Sequence, residues 1–382
     1  MNHSARGSRR ETIYLVGTSG HPNFGDEFIT AAWLKFLAGV RPQADVWLDC
    51  PVPGQAAHFF GGMHPRVRFT DTLWRLVWDT ASLERAEADQ LIDERVAHFG
   101  TPRYDIGLQA ARHATTIHVL GGGYINAIWP HHAGLLRAAR ALREHTGARL
   151  AATGLGLVPA PTEPSLLESL KAFDHVGVRD RPSAELAGAE LGADDAFLEV
   201  ARMKVADKRP AEPGDVWVCL QSDMSDQTVF EAAVEGLRTT LTSPAFQGRT
   251  VRYVEAIPGV DHAAYERLED LIPRENFVPF LGLWEQEFPA RPGQTWLTSR
   301  FHLHLLAAAC GAEGVAIEVS RDYYRVKHES LLDAGTGWSV APAGATVLPD
   351  PSLAPSFAAR AKQLAQDKWR EAQVVYPKSR RR

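Results

Sequence analysis

Short apolar runs alternate with amphipathic stretches along most of this chain. Thr12 to Gly17 (TIYLVG) is an unbroken apolar run of strand length, and turn formers fill the loop from Thr18 to Gly25. From Glu27 to Ala38 the apolar residues Phe28, Ala31, Ala32, Leu34 and Leu37 recur at helical spacing. Asp26 stands where an N-cap belongs. The alternation then repeats. Thr116 to Leu120 predicts a strand buried on both faces and ended by Gly121, Gly122 and Gly123. His132 to His145 predicts a helix and Arg149 to Gly154 the next strand. Asp174 to Val178 predicts a strand leading into Arg179, with a helix starting at Pro182-Ser183. Doubly buried strands between helices imply a mostly parallel sheet.

A second set follows a segment dense in Pro and charge, Lys208 to Gly214. Val216–Leu220, Thr250–Ala256, Thr295–Thr298 and Gly314–Val319 read as strands, and Gln227–Leu241, Arg300–Cys310 and Ser356–Ala372 as helices. The fold class expected is α/β: two Rossmann-like domains in a GT-B-like arrangement with an interdomain cleft. The divisions are a basic tail over 1–11, an N-terminal domain over 12–207 and a linker over 208–214. A C-terminal domain over 215–350 follows, then a closing helix and basic tail over 351–382.

Composition narrows the function. The chain has 382 residues, enough for two cores. A net charge of -5 argues against nucleic acid as a partner. Basic residues gather at the ends, Arg6, Arg9 and Arg10, then Lys378 and Arg380 to Arg382. These tails read as solvated, with weak contact to a membrane surface as the alternative. Cys50, Cys219 and Cys310 are widely spaced, an odd set without CxxC, so neither a disulfide framework nor a structural zinc site is expected. No apolar run reaches the ~18 residues of a membrane span, and no secretory h-region follows the polar start. The expected location is the cytoplasm, with the inner face of the membrane as a place of work.

Ligands of open α/β sheets sit at the carboxyl ends of strands, so the chemistry is sought in four loops. The first holds Asn23, Gly25 and Asp26; Asp26 either caps the helix or accepts from a sugar hydroxyl, and two oxygens allow both. The GxGxxG fingerprint is absent there. The second is Gly121-Gly122-Gly123 with Asn126, whose uncovered N–H groups suit an anion or a polyol. The third is Arg179, either a fork for a carboxylate or phosphate or a surface partner of Asp180 or Glu185. The fourth is Ser299-Arg300-Phe301-His302, opening an almost wholly apolar helix. Ser299 is a natural N-cap. A cation in a first turn is unfavourable unless an anion offsets it, and Arg300 therefore points to an anionic ligand. Histidine titrates near neutrality, which fits His302 as acid or base. His304 lies about 200° further round the helix and reads as a satisfied buried histidine.

In order, HPNFGDE, LGGGYIN, TGLGLVP, GVRDRPS, SRFHLHLLAAACG and YRVK resemble the polysaccharide pyruvyl transferase family, over about residues 12 to 335. The resemblance implies a GT-B-like fold and transfer of an enolpyruvyl unit from phosphoenolpyruvate to two hydroxyls of a sugar, as polysaccharide or lipid-linked glycan. Phosphoenolpyruvate is then a co-substrate with no cofactor beside it, and no HExxH or clustered His/Asp set in the sequence suggests a metal. By position, His302 takes the acid/base role beside Arg300, while Arg179, Arg300, Lys327 and Ser299 hold the donor. Asn23, Gly25, Asp26, Gly121, Gly122, Gly123 and Asn126 face sugar or donor. The acidic turn of the family is present only as Asp194-Asp195-Ala196. Two rival readings are a GT-B glycosyltransferase using a nucleotide sugar and a non-catalytic carbohydrate-binding relative.

Overall fold

The computed structural model describes residues 10–161, 164–203, 215–320 and 323–378, with the backbone alone for 323–325. Its contacts divide the chain between Asp195 and Ala196. One compact unit comprises the described residues up to His21, Asp26–Asp195 and the chain from Arg370 onward; the other comprises Pro22–Gly25 and Ala196–Trp369. The Pro-rich segment Lys208–Gly214 and most of the basic tails lie outside the described residues.

The first unit is built on six parallel strands: β1 (Thr12–Val16), β2 (Asp45–Asp49), β3 (Val67–Thr70), β4 (Thr116–Val119), β5 (Arg149–Leu155) and β6 (His175–Val178). Their order is β3-β2-β1-β4-β5-β6. The second unit repeats the plan with β7 (Val216–Cys219), β8 (Val251–Val254), β9 (Phe277–Val278), β10 (Thr295–Thr298), β11 (Glu313–Ile317) and β12 (Ser339–Ala341). The order there is β12-β11-β10-β7-β8-β9, the same winding read from the other edge. Both are doubly wound Rossmann-like sheets, whose direction of winding reverses between β1 and β4 and between β7 and β10. Those four strands are buried at every position. The loops after them therefore open at the two switch points.

Apolar burial on both sides of each sheet holds these loops in place. In the first unit the helix Ala133–Thr146 lays Leu135, Leu136, Ala139 and Leu142 in one core with Ile117, Val119 and Leu150. In the second, Trp217 stacks on Trp296 at 5.3 Å, and Phe288 on Trp296 at the same distance. The helix Phe301–Ala309 is buried nearly all round, as its run of Leu and Ala requires. Each of Leu303, Leu305 and Leu306 contributes about 1.5–3 kcal/mol by leaving water. The first turn of that helix is thus carried on a rigid rod.

Helix starts differ from the sequence expectation in two places. The first helix begins at Phe24, so Asp26 and Glu27 occupy its first turn and Asp26 is not the cap. Acidic residues suit that turn electrostatically. In the second, Arg300 and not Ser299 precedes the first helical residue.

Candidate active site

In the second unit, Ser299 to His302 follow β10 at the switch point. Ser299 does not cap the helix because its hydroxyl accepts from Gln221 N at 2.9 Å, while its own N–H donates to Cys219 O. It ties the ends of β7 and β10 together. Arg300 meets its anion inside the chain: Nε and Nη2 donate to Asp261 Oδ1 at 3.0 and 2.5 Å. Asp261 is fully buried, and its other oxygen accepts from Ala256 N and Ile257 N, both at 2.8 Å, and from the Cys219 thiol at 3.4 Å. Burial first, then the Asp261 carboxylate, raises the Cys219 thiol well above its ordinary range, so it remains a donor. One carboxylate thus joins β7, the loop after β8 and the guanidinium of Arg300. The electrostatic anomaly read from sequence is offset by Asp261 before any ligand is considered.

His302 is half-buried and meets Phe301 edge to face. Gly25 lies against it: a Cβ built on Gly25 would fall 1.8 Å from His302 Nδ1. No side chain fits there without moving the imidazole. Asn23 and Gly25 belong to this unit, and Phe24 N donates to Ala256 O, beside the Asp261 loop. Lys327 stands half-buried on the helix Tyr323–Asp333.

Two residues past His302, His304 is fully buried, as the sequence predicts. Its ring stacks on Trp338 at 4.3 Å. Its Nδ1 lies 3.1 Å from His328 Nδ1, its Nε2 lies 3.1 Å from Thr336 Oγ1, and His328 Nε2 lies 3.2 Å from Ser299 O. Only one proton arrangement satisfies this row with both rings neutral. His328 Nε2–H donates to Ser299 O, His304 Nδ1–H donates to His328 Nδ1, and the Thr336 hydroxyl donates to His304 Nε2. Burial lowers the His304 pKa well below its ordinary value and lowers that of His328 to about 4.

The remaining candidates lie in the first unit. Gly121 N donates to Asp195 Oδ2 at 2.9 Å and Gly122 N to Gly154 O at 3.3 Å, so two of the three glycine N–H groups are occupied within the chain. A Cβ on Gly121 would meet Asp195 Cγ at 2.9 Å, and Gly122 sits at φ 148°, which explains glycine at both. The Asn126 amide closes the same loop: Nδ2 donates to Gly123 O and Oδ1 accepts from Ile128 N, each at 2.9 Å. Asp26 Oδ1 is 3.7 Å from where a Gly122 Cβ would be. Arg179 is buried and pairs with Asp194 at 2.9 Å, not with Asp180 or Glu185. Asp180 instead caps the helix Arg181–Ala187 through Ser183 N.

Asp195 is the organising residue that local reading passed over. Its Oδ2 accepts from Trp33 Nε1 at 2.7 Å, Thr153 Oγ1 at 2.7 Å and Gly121 N. The only sequence signal was the paired Asp194-Asp195 in a family-like turn. Asp261 had none beyond its place after a strand.

The sequence profile of polysaccharide pyruvyl transferases matches residues 23–321, most of the chain. The chain belongs to the polysaccharide pyruvyl transferase family. In this pyruvyl transferase relative, the profile takes in every candidate residue except Lys327, which lies beyond its end. Solved structures share its GT-B-like fold at low identity. A putative UDP-N-acetylglucosamine 2-epimerase from Listeria monocytogenes has a TM-score of 0.53 and 13% identity, over 96% of this chain and 90% of that one. The S. aureus MnaA–UDP structure has a TM-score of 0.54 and 11% identity, over 96% and 89%. The UDP-GlcNAc 2-epimerase from Methanocaldococcus jannaschii has a TM-score of 0.51 and 10% identity, over 93% and 98%. Comparison with curated proteins gives no match. Among the described residues, no helix is long and apolar enough to cross a membrane.

Proposed function

We propose that this pyruvyl transferase uses phosphoenolpyruvate as donor and two hydroxyls of a sugar, in a polysaccharide or lipid-linked glycan, as acceptor. The products are a pyruvate ketal and inorganic phosphate. The observation that carries this reading is the head of the helix Phe301–Ala309, where Arg300 is clamped by Asp261 and His302 abuts Gly25. A fixed cation and an imidazole two residues apart suit a strongly anionic donor that must also receive a proton.

His302 delivers a proton to the methylene carbon, and positive charge develops at C2. One sugar hydroxyl adds to C2 and loses its proton to the shuttle. The C2–O bond to phosphate breaks, and the second hydroxyl closes the ring. Of the two hydroxyl protons, one ends on the new methyl group and one on the departing phosphate. In the second unit, Arg300 and Lys327 face the donor carboxylate and phosphate; fixed charge is the usual source of such stabilisation. The three cysteines are free and buried, which supports a reducing, cytoplasmic setting, with the membrane face as the place to meet a lipid-linked acceptor.

The test is release of inorganic phosphate from phosphoenolpyruvate in the presence of an acceptor panel. Phosphate release that depends on the sugar, with a ketal methyl signal in the product, is expected. Release of nucleotide from a nucleotide sugar without phosphoenolpyruvate would instead identify a glycosyltransferase.

A further inference from the structure

The loop after β7 faces the same switch point as Arg300 and carries two buried oxygens of one chemical kind. Gln221 is fully buried; its Nε2 donates to Asp223 O at 3.3 Å, while its Oε1 receives no hydrogen bond from the described residues. Asp223 Oδ1 is likewise buried and receives none, although the Asp223 side chain as a whole is 40% exposed. Arg300 Nη2 lies 3.4 Å from that oxygen, an ion pair without hydrogen-bond geometry. Flipping the Gln221 amide does not help, because it would set two carbonyl oxygens against each other. Both oxygens are acceptors without a hydrogen-bond donor, and leaving a buried acceptor so is destabilising.

Acceptors without donors select the ligand. Phosphoenolpyruvate at neutral pH offers oxygens and no donors, so it cannot satisfy them. A polyol can, because each hydroxyl donates. We infer that Gln221 and Asp223 form the subsite for the hydroxyls of the acceptor sugar, on the Arg300 side of the switch point. This rests on the pyruvyl transfer proposed above only for the role of the bound sugar; the binding chemistry stands on the two oxygens. Because both oxygens are shielded in this structure, the proposed subsite requires Ser222–Ser225 to move aside for the sugar; Met224, at φ 63° without being glycine, lies in that stretch.

The experiment measures binding of methyl glycosides of galactose, glucose and mannose by saturation-transfer NMR and calorimetry, without donor. The proteins are wild type, Gln221→Met and Asp223→Ala, each checked for an unchanged melting transition. At least one glycoside should bind the wild type, and each substitution should weaken it about tenfold or more. Phosphoenolpyruvate affinity should be unchanged in Gln221→Met. In Asp223→Ala it should be unchanged or tighter, since a negative charge beside Arg300 is gone. A general loss of structure would weaken both ligands together. The inference is overturned if the wild type binds none of the glycosides, or if both variants bind them as the wild type does. Failure of phosphate release from phosphoenolpyruvate would count against the transferase chemistry alone, since the glycoside measurement uses no donor.

Discussion

At the scale of single residues, His302 and His304 are a paired test, because one helix presents both and only one is fully buried. His302→Ala should lose turnover by roughly 10²–10⁴-fold, the range for general acid–base catalysis, while phosphoenolpyruvate binding falls much less. His304→Ala should lower the melting temperature, since it empties a stacked site on Trp338, and should act weakly on the rate of the folded enzyme. Steady-state kinetics and melting curves on both variants decide; a fully active His302→Ala beside an inactive, folded His304→Ala would move the role along the helix. Gly25→Ala tests the same imidazole from the other side. The added methyl must displace a ring whose Nδ1 would be 1.8 Å away. The expected result is a turnover loss of about tenfold or more with a near-normal far-UV spectrum, read as kcat against KM for the donor.

At the scale of elements, the histidine row under the head of the helix Phe301–Ala309 makes stability depend on pH. Both rings favour the neutral form in the folded chain, so the unfolded chain takes up protons first as pH falls. This contribution is therefore complete above the unfolded histidine value of about 6.5. It is lost as pH drops toward about 4, the folded value of His328. Melting temperature should fall across that window, and His328→Gln should flatten the decline; an identical slope in the variant would remove the row as its cause. The strands show how far local pattern reaches. β1, β4, β7 and β10 are buried throughout and stand out as apolar runs, whereas β3, β9 and β12 are edge strands, half-exposed over most of their length. Such strands carry too little apolar signal to rise above their surroundings, and β9 has only two residues.

At the scale of the whole molecule, the proposal is that a small, highly charged donor binds the folded chain through fixed cations. A ligand that binds only the folded state raises the melting temperature, by about 2.7 kcal/mol of stability at a hundredfold excess over Kd. Millimolar phosphoenolpyruvate should therefore raise the melting temperature of the wild type. The rise should be smaller in Arg300→Lys, which keeps the charge but loses the planar fork that also engages Asp261. Absence of any rise in the wild type would remove phosphoenolpyruvate as donor.

The sequence by itself determined the alternation of strand and helix, the placing of candidate loops after buried strands, and membership in a family read from ordered motifs. These are local matters: periodicity, turn residues and short spacings set them within a few residues of chain. It also determined the fate of His304, because about 200° round the helix from His302 the neighbours are the Leu and Ala that face the core. The partners of the charged residues were decided only by the tertiary structure. Arg300 read as an unbalanced cation because Asp261, which offsets it, is distant in sequence; the pairing of Arg179 with Asp194 was likewise out of local reach. Ser299 fitted the rule for an N-cap, yet the parallel pairing of β7 with β10 brings Gln221 N to its hydroxyl. The glycine loop seemed to bare its N–H groups until Asp195 and Gly154 came to meet them. In each case a buried polar group had to find a partner, and folding supplied it from a part of the chain that local spacing cannot reach.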